Sequence, residues 1–205
     1  MTDPADCIVI IGAAGAGKDT AADAIIQELG SQDTYQNLKF AAPLKDLCAN
    51  LFGWDRRKLD TDLEYKESKA MYPDGSACMS VAGETQTRRQ ILQHLGTDIF
   101  RNQVNDGIWL QAALVEAKAS EGVDVFVATD CRFHNELEFI QNNFNRVLVV
   151  RVERAGAGGT AASAHVSERQ ALEMRADVTI TAAAGDVNWL TDKVVEAVKE
   201  WRKAR

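Results

Sequence analysis

Residues Cys7–Ile11 form an unbroken apolar run of strand length, the pattern of a central parallel strand covered on both faces. From Lys18 the pattern becomes helical. Ala22, Ile25, Ile26 and Leu29 share a face, and Gly30 supplies the stop. A short strand is expected at Leu38–Phe40, then a helix with Pro43 in its first turn and Leu44, Leu47, Cys48 and Leu51 along it. Residues 52–86 are charged and broken by Pro73, Gly75 and Gly83, so they are expected as an insertion on the surface. Helices resume at Arg88–Leu95, capped by Thr87, and at Val104–Ala119, where Ile108, Ala112 and Val115 make a stripe. Val123–Thr129 predicts a second buried strand, Glu136–Asn142 a helix and Val147–Val152 a third strand. Residues 155–164 contain only Ala, Gly, Ser and Thr, too little apolar area to order themselves. A short helix near Glu168–Arg175, a strand at Val178–Thr181 and a long final helix follow. Leu190, Val194, Val198 and Trp201 line one face of that helix. Strands alternating with helices predict a three-layer α/β/α parallel sheet.

Composition narrows the classes. The 205 residues suffice for one α/β domain with a sizeable core, and residues 1–205 are expected as a single domain. Acidic residues number 30 against 23 basic, a formal charge of −7, which argues against binding a nucleic-acid polymer or a membrane surface. At 46% hydrophobic and 26% charged the chain reads as globular, and no apolar run approaches the roughly 18 residues of a membrane span. The acidic start, Met1–Asp6, lacks the basic region of a signal peptide. Cys7, Cys48, Cys78 and Cys131 have neither metal-ligand nor redox spacing. Reduced thiols and a cytoplasmic location are the expectation.

The first strand runs into Gly12-Ala13-Ala14-Gly15-Ala16-Gly17-Lys18-Asp19-Thr20. Gly12, four residues, then Gly17-Lys18 is the Walker A spacing, placed between a buried strand and a helix N-terminus as phosphate binding requires. Glycines let successive N–H groups face phosphate oxygens, the helix dipole adds positive potential, and Lys18 can reach the outer phosphates. Gly12, Gly15, Ala16, Gly17, Lys18, Asp19 and Thr20 are the candidate nucleotide site. Where Ser or Thr would hold Mg²⁺ the chain has Asp19, followed by Thr20. Either is a candidate magnesium ligand, and the sequence does not choose between them. The strand Val125–Thr129 ends in Asp130-Cys131-Arg132, an isolated acid beside an arginine rather than the paired acids of an ATPase motor. A structural ion pair would explain these two residues equally well.

Phe40-Ala41-Ala42-Pro43-Leu44-Lys45-Asp46, Arg89 with Leu92–Asp98, Asp106 with Ile108-Trp109, Asp130–Glu136 and His165–Glu168 follow the loop in order. In that order and spacing, over nearly the whole chain outside 52–86, the sequence resembles bacteriophage deoxynucleoside monophosphate kinases. The resemblance implies a P-loop, nucleoside-monophosphate-kinase-like fold. It implies transfer of the γ-phosphate of ATP, with Mg²⁺, to a deoxynucleoside monophosphate, giving the diphosphate. It makes the loop residues the ATP and magnesium site, and it lines the acceptor pocket with Lys45, Arg89, Gly96, Thr97, Trp109, Asp130, Arg132 and Glu136. Lys66 is a further acceptor candidate within a substrate-binding insertion at about 52–86. Arg154 resembles the arginine of a lid spanning about 154–168. Lys18, Arg132 and Arg154 are thus the catalytic candidates.

Bland alternatives accompany several of these. Trp109 serves as well at a core edge, Arg88 and Arg89 as a solvated face, and His94 and His134 as surface histidines. Other function classes also stay open: a kinase of another small phosphorylated metabolite, such as dephospho-coenzyme A or phosphomevalonate, or a regulatory nucleotide switch or ATPase. A homodimer is left open as well.

Overall fold

The computed structural model describes residues 5–13, 15–31, 33–155, 170, 171 and 173–204. Its strands are β1 (Asp6–Ile11), β2 (Tyr35–Leu38), the short pair β3 (Ser80–Val81) and β4 (Glu84–Thr85), β5 (Val125–Ala128), β6 (Val147–Arg154) and β7 (Val178–Ala182). The helices are α1 (Lys18–Leu29), α2 (Ala42–Phe52), α3 (Lys58–Thr61), α4 (Leu63–Glu67), α5 (Arg88–Gln93), α6 (Ile108–Ala119), α7 (His134–Asn143) and α8 (Val187–Lys203). The chain divides into two compact units, Met1–Lys39 with Leu114–Arg205, and Phe40–Ala113. Residues 52–86 fall in the second.

The first unit is built on a five-stranded sheet in the order β2-β5-β1-β6-β7. All pairings are parallel, with Ile8 of β1 opposite Val127 on one side and Leu148 on the other. Every residue of β1 is buried, as its unalternating apolar run requires. Ile8, Ile10, Val125, Val127 and Val150 on one face pack with Ala21, Ala22, Ile25 and Leu29 of α1 and Leu190, Val194 and Val198 of α8. Residues of the opposite parity, Val9, Ile11 and Phe126, are buried too, and Phe126 meets the Phe144 ring just beyond α7 at 5.6 Å. The sheet is therefore a middle layer with helices on both sides.

One polar network is sealed into this unit. Asp6 is 3% exposed and accepts from Arg202 at 2.7 Å and from Asn145 Nδ2 at 3.0 Å, while Arg202 also pairs with Asp33 at 2.7 Å. A buried pair adds little net stability, but removing one partner leaves a desolvated charge. Arg202→Ala is expected to lower the unfolding free energy by about 2–4 kcal/mol in urea denaturation. A loss below about 0.5 kcal/mol, the scale of an exposed pair, would mean that water reaches Asp6.

The second unit holds α2–α5, the β3–β4 hairpin and a π-helical stretch, His94–Val104, that continues α5. Thr87 caps α5 reciprocally with Gln90, each side chain accepting from the other's backbone N–H at 3.2 and 2.8 Å.

Several expectations are corrected. The strand expected at Leu38–Phe40 lies at Tyr35–Leu38, an edge strand in which only Leu38 is buried, so no apolar run marked it. The helix expected from Val104 starts at Ile108, because the Asn105 side chain closes a turn onto Gly107 N at 2.8 Å. Its buried residues are Trp109, Leu110, Ala113 and Ala117 rather than Ile108, Ala112 and Val115, and Val115 is 69% exposed. That helix is apolar nearly all round, so periodicity could not select a side. In α2, Leu44 and Cys48 are buried as expected, but Leu47 and Leu51 face outward while Ala49 and Phe52 turn in.

Candidate active site

The loop from β1 to α1 is shaped by two glycines. Gly12 has φ of +151°, and a Cβ there would lie 2.2 Å from the carbonyl oxygen of Val152 in β6. Gly17 has φ of +100° at the N-cap of α1, with Leu190 of α8 2.8 Å from where its Cβ would be. No other residue allows both the backbone turn and these approaches. The Lys18 ammonium folds back over the loop, donating to Gly12 O at 3.0 Å and Ala13 O at 2.8 Å. A flexible cation is thereby held at the rim of the N–H groups that open α1.

Asp19 occupies the next helical position. Its Oδ1 accepts from Thr129 Oγ1 at 2.9 Å and from Lys39 Nζ at 3.2 Å. Thr129 follows β5 and Lys39 follows β2, so two strands of the sheet direct groups from their carboxyl ends onto one carboxylate. Partial burial pushes the Asp19 carboxyl up, but the Lys39 ammonium, the Thr129 hydroxyl and Lys18 outweigh it and hold the group below the ordinary carboxylate range. Asp19 is ionised at neutral pH. Thr20 is exposed one position on.

After β5 the chain turns through Asp130 and Arg132 into α7. Glu136 is 4% exposed, and its Oε2 accepts from Arg132 N at 2.7 Å and Phe133 N at 3.1 Å. In the resting protein this carboxylate holds the turn that presents the exposed Arg132 side chain. Cys131 is buried between them, and burial, reinforced by Glu136 and Asp130, pushes its thiol well up. A buried thiol held in its neutral form is a poor nucleophile. Arg154 is exposed at the end of β6. The expected lid residues beyond Ala155, the His165–Glu168 block and Ala14 lie outside the described residues.

In the second unit each basic candidate has its own environment. Lys45 Nζ donates to Asp60 at 2.6 Å, Asp60 also takes Arg56, and Arg56 in turn takes Asp46. Partial burial opposes ionisation of Asp60, but Lys45 and Arg56 prevail and keep its carboxyl low. Arg89 pairs with Glu67 of α4. Its neighbour Arg88 lies over the Tyr65 ring at 4.0 Å and donates to Ser68 Oγ at 2.7 Å and Lys69 O at 3.2 Å, closing the end of α4. Arg88 is therefore structural, and Arg89, half-buried, is the chemical candidate. Lys66 is half-buried in α4.

Gly96 packs against Leu44, whose Cδ2 lies 2.6 Å from where a Cβ would be, so a larger residue would displace that side chain. Trp109 is 8% exposed, donates from Nε1 to Gly96 O at 3.0 Å and meets Phe100 edge-on at 5.3 Å. The indole thus fixes the backbone next to the half-buried Thr97. His94 contacts Asp98 at 3.0 Å, and His134 is exposed.

Sequence reasoning missed Lys39, Thr129, Asp60 and Glu67. Lys39 and Thr129 had a usable signal, since groups just past the carboxyl ends of parallel strands face the crevice of such sheets. Asp60 and Glu67 had none, lying in the stretch where periodicity is weakest.

A family model described as deoxynucleotide monophosphate kinase matches residues 61–194, more than half of the chain and a segment that begins after the phosphate loop. No curated protein matches the chain. Similar solved structures include a putative kinase from Chloroflexus aurantiacus, 12% identical, covering 100% of this chain and 99% of that one at a TM-score of 0.49. Shikimate kinase from Acinetobacter baumannii in complex with shikimate is 14% identical, with 97% and 94% covered and a TM-score of 0.46. Mycobacterium tuberculosis APS kinase in complex with AMPPNP and APS is 12% identical, with 96% and 99% covered and a TM-score of 0.43.

Proposed function

The chain belongs to the deoxynucleotide monophosphate kinase family, and from that premise we propose that it transfers the γ-phosphate of ATP to deoxynucleoside monophosphates. The observation that carries the reading is the loop between β1 and α1, where Lys18 and the first N–H groups of α1 converge on one rim. Such a rim binds a polyphosphate end, and the family supplies the acceptor class.

Phosphoryl transfer asks the protein for alignment, charge neutralisation and exclusion of water. Gly12, Gly15, Ala16 and Gly17 give the backbone cradle, and Lys18 neutralises charge as it builds on the transferring group. Arg132 and Arg89 bind the acceptor phosphate as forks, with Lys45 and Lys66 as further cations. Asp130 accepts from the sugar or base, Glu136 orients the Arg132 turn, and Trp109 holds Gly96 and Thr97 in place. Arg154, exposed at the end of β6, adds a further cation for the phosphates, and the rest of the expected lid, to about residue 168, lies outside the described residues. An ionised acceptor phosphate needs no dedicated base.

The donor set fits Mg²⁺: the Asp19 carboxylate, 77% exposed, already takes a cation at 3.2 Å, and the Thr20 hydroxyl follows. Among the described residues no group of three acidic, His or Cys side chains could hold a metal by itself, so phosphate and water would complete the shell. When bound, the ion neutralises phosphate oxygens.

Arg132→Ala and Arg89→Ala are each expected to raise the Michaelis constant for the acceptor about tenfold or more while changing that for ATP less than about threefold. Equal losses for both substrates would place these arginines in the ATP site or the fold.

A further inference from the structure

Asp19 poses a problem that its neighbours solve. A carboxylate in the first turn of α1 sits where polyphosphate oxygens are to bind, and a bare negative charge there repels them. The structure places an ammonium on it. Lys39 reaches Asp19 Oδ1 at 3.2 Å from the end of β2, and Thr129, 4% exposed, donates to the same oxygen at 2.9 Å from the end of β5. In the sheet β5 lies between β2 and β1, so Thr129 approaches from the strand that separates Lys39 from the loop. The Thr129 hydroxyl orients the carboxylate and Lys39 neutralises it. Lys39 is half-buried, 35% exposed as a side chain, and is not one of the loop residues.

We propose that Lys39 is the resident counter-ion of Asp19, a positioning residue that stands in for the divalent cation at this carboxylate and keeps the phosphate loop receptive to ATP before the metal arrives. This rests on the reading of the loop as the ATP site. Lys39 acts through Asp19 and not by contact with phosphate, and that distinction has a measurable signature. When the metal is present its charge serves the same carboxylate, and the contribution of Lys39 falls away. When the metal is chelated, the Lys39 ammonium is the cation paired directly with Asp19 as the polyphosphate arrives.

The experiment is calorimetric titration of ATP into the intact chain, with EDTA and separately with saturating Mg²⁺, for wild type, Lys39→Met, Lys39→Arg and Lys39→Met/Asp19→Asn. Lys39→Met keeps the alkyl stem and removes the charge. It is expected to weaken metal-free ATP about tenfold or more, and magnesium-bound ATP less than about threefold. Lys39→Arg is expected to bind as wild type in both conditions, within about threefold, because the charge is retained. The double variant is expected to recover metal-free affinity to within about threefold of wild type, because the repelling charge has gone with its counter-ion. Thermal unfolding of each variant separates lost binding from lost fold. Equal weakening with and without metal would overturn the proposal by making Lys39 a direct phosphate ligand. So would unchanged metal-free affinity in Lys39→Met, or a double variant that fails to recover. Wild-type protein that binds ATP in neither condition would fail the loop reading itself, a result distinct from all of these.

Discussion

Lys18→Ala is expected to cut turnover by at least about a hundredfold at saturating substrates while leaving the protein folded. The ammonium is already held over the loop by the carbonyls of Gly12 and Ala13, so little reorganisation separates its resting position from contact with phosphate. Negative charge shifts among the phosphate oxygens as the bond breaks, and a fixed cation in a water-poor site is worth more there than in the ground state. The loss should therefore appear in kcat as well as in the Michaelis constant for ATP. The side chain is half-buried and its packing role is small, so the thermal midpoint should move little. Near-normal turnover in a folded Lys18→Ala protein would remove the loop from the chemistry.

The second large effect is expected at Gly12. An alanine Cβ would lie 2.2 Å from Val152 O, a backbone atom of β6 held by the β1–β6 pairing at Ile11 and Arg151. Neither side can give without opening the sheet beneath the loop. Gly12→Ala should cost about 2–4 kcal/mol of stability, as overpacking against a rigid backbone does. It should also abolish measurable ATP binding, because the cradle is displaced at its first residue. Gly15 is the internal control. It has φ of +73° but nothing within 4 Å of its Cβ position, so Gly15→Ala meets only the left-handed backbone penalty of about 1–2 kcal/mol. Denaturant unfolding and ATP titration of the two variants side by side test the distinction. Equal behaviour would mean that the Gly12–Val152 approach does not govern the loop.

What was legible in the chain beforehand follows from the range of the interactions involved. β1 was readable because a fully buried strand needs only its own apolar side chains. The loop was readable because strand, glycines, lysine and helix are contiguous. The buried stripe of α8 and the Thr87 cap are likewise local. By contrast β2 is an edge strand whose Tyr35, Gln36 and Asn37 are not buried, and its position is set by pairing with β5. The face of α6 was hidden because its apolar residues surround the helix. The Asp19 cluster joins residues 20 and 110 positions apart, which no window along the chain contains. For Lys45 and Arg89 the basic residues were legible, but their carboxylate partners Asp60 and Glu67 were not.

The acceptor itself is the central claim, and a panel assay tests it most directly. The intact protein would be given Mg-ATP with each deoxynucleoside monophosphate, each matching ribonucleotide, dephospho-coenzyme A and phosphomevalonate, with ADP release followed and the product identified. Deoxynucleoside diphosphates are expected, formed faster than the ribonucleotide products. A pocket crowded at the sugar would leave an added 2′-hydroxyl unpaired, and such groups discriminate strongly only when buried, so preference rather than absolute exclusion is the expected pattern. Hydrolysis of ATP without an acceptor should be slow by comparison. Phosphorylation of dephospho-coenzyme A or phosphomevalonate with every nucleotide left untouched would contradict the account, as would brisk hydrolysis of ATP that no acceptor changes.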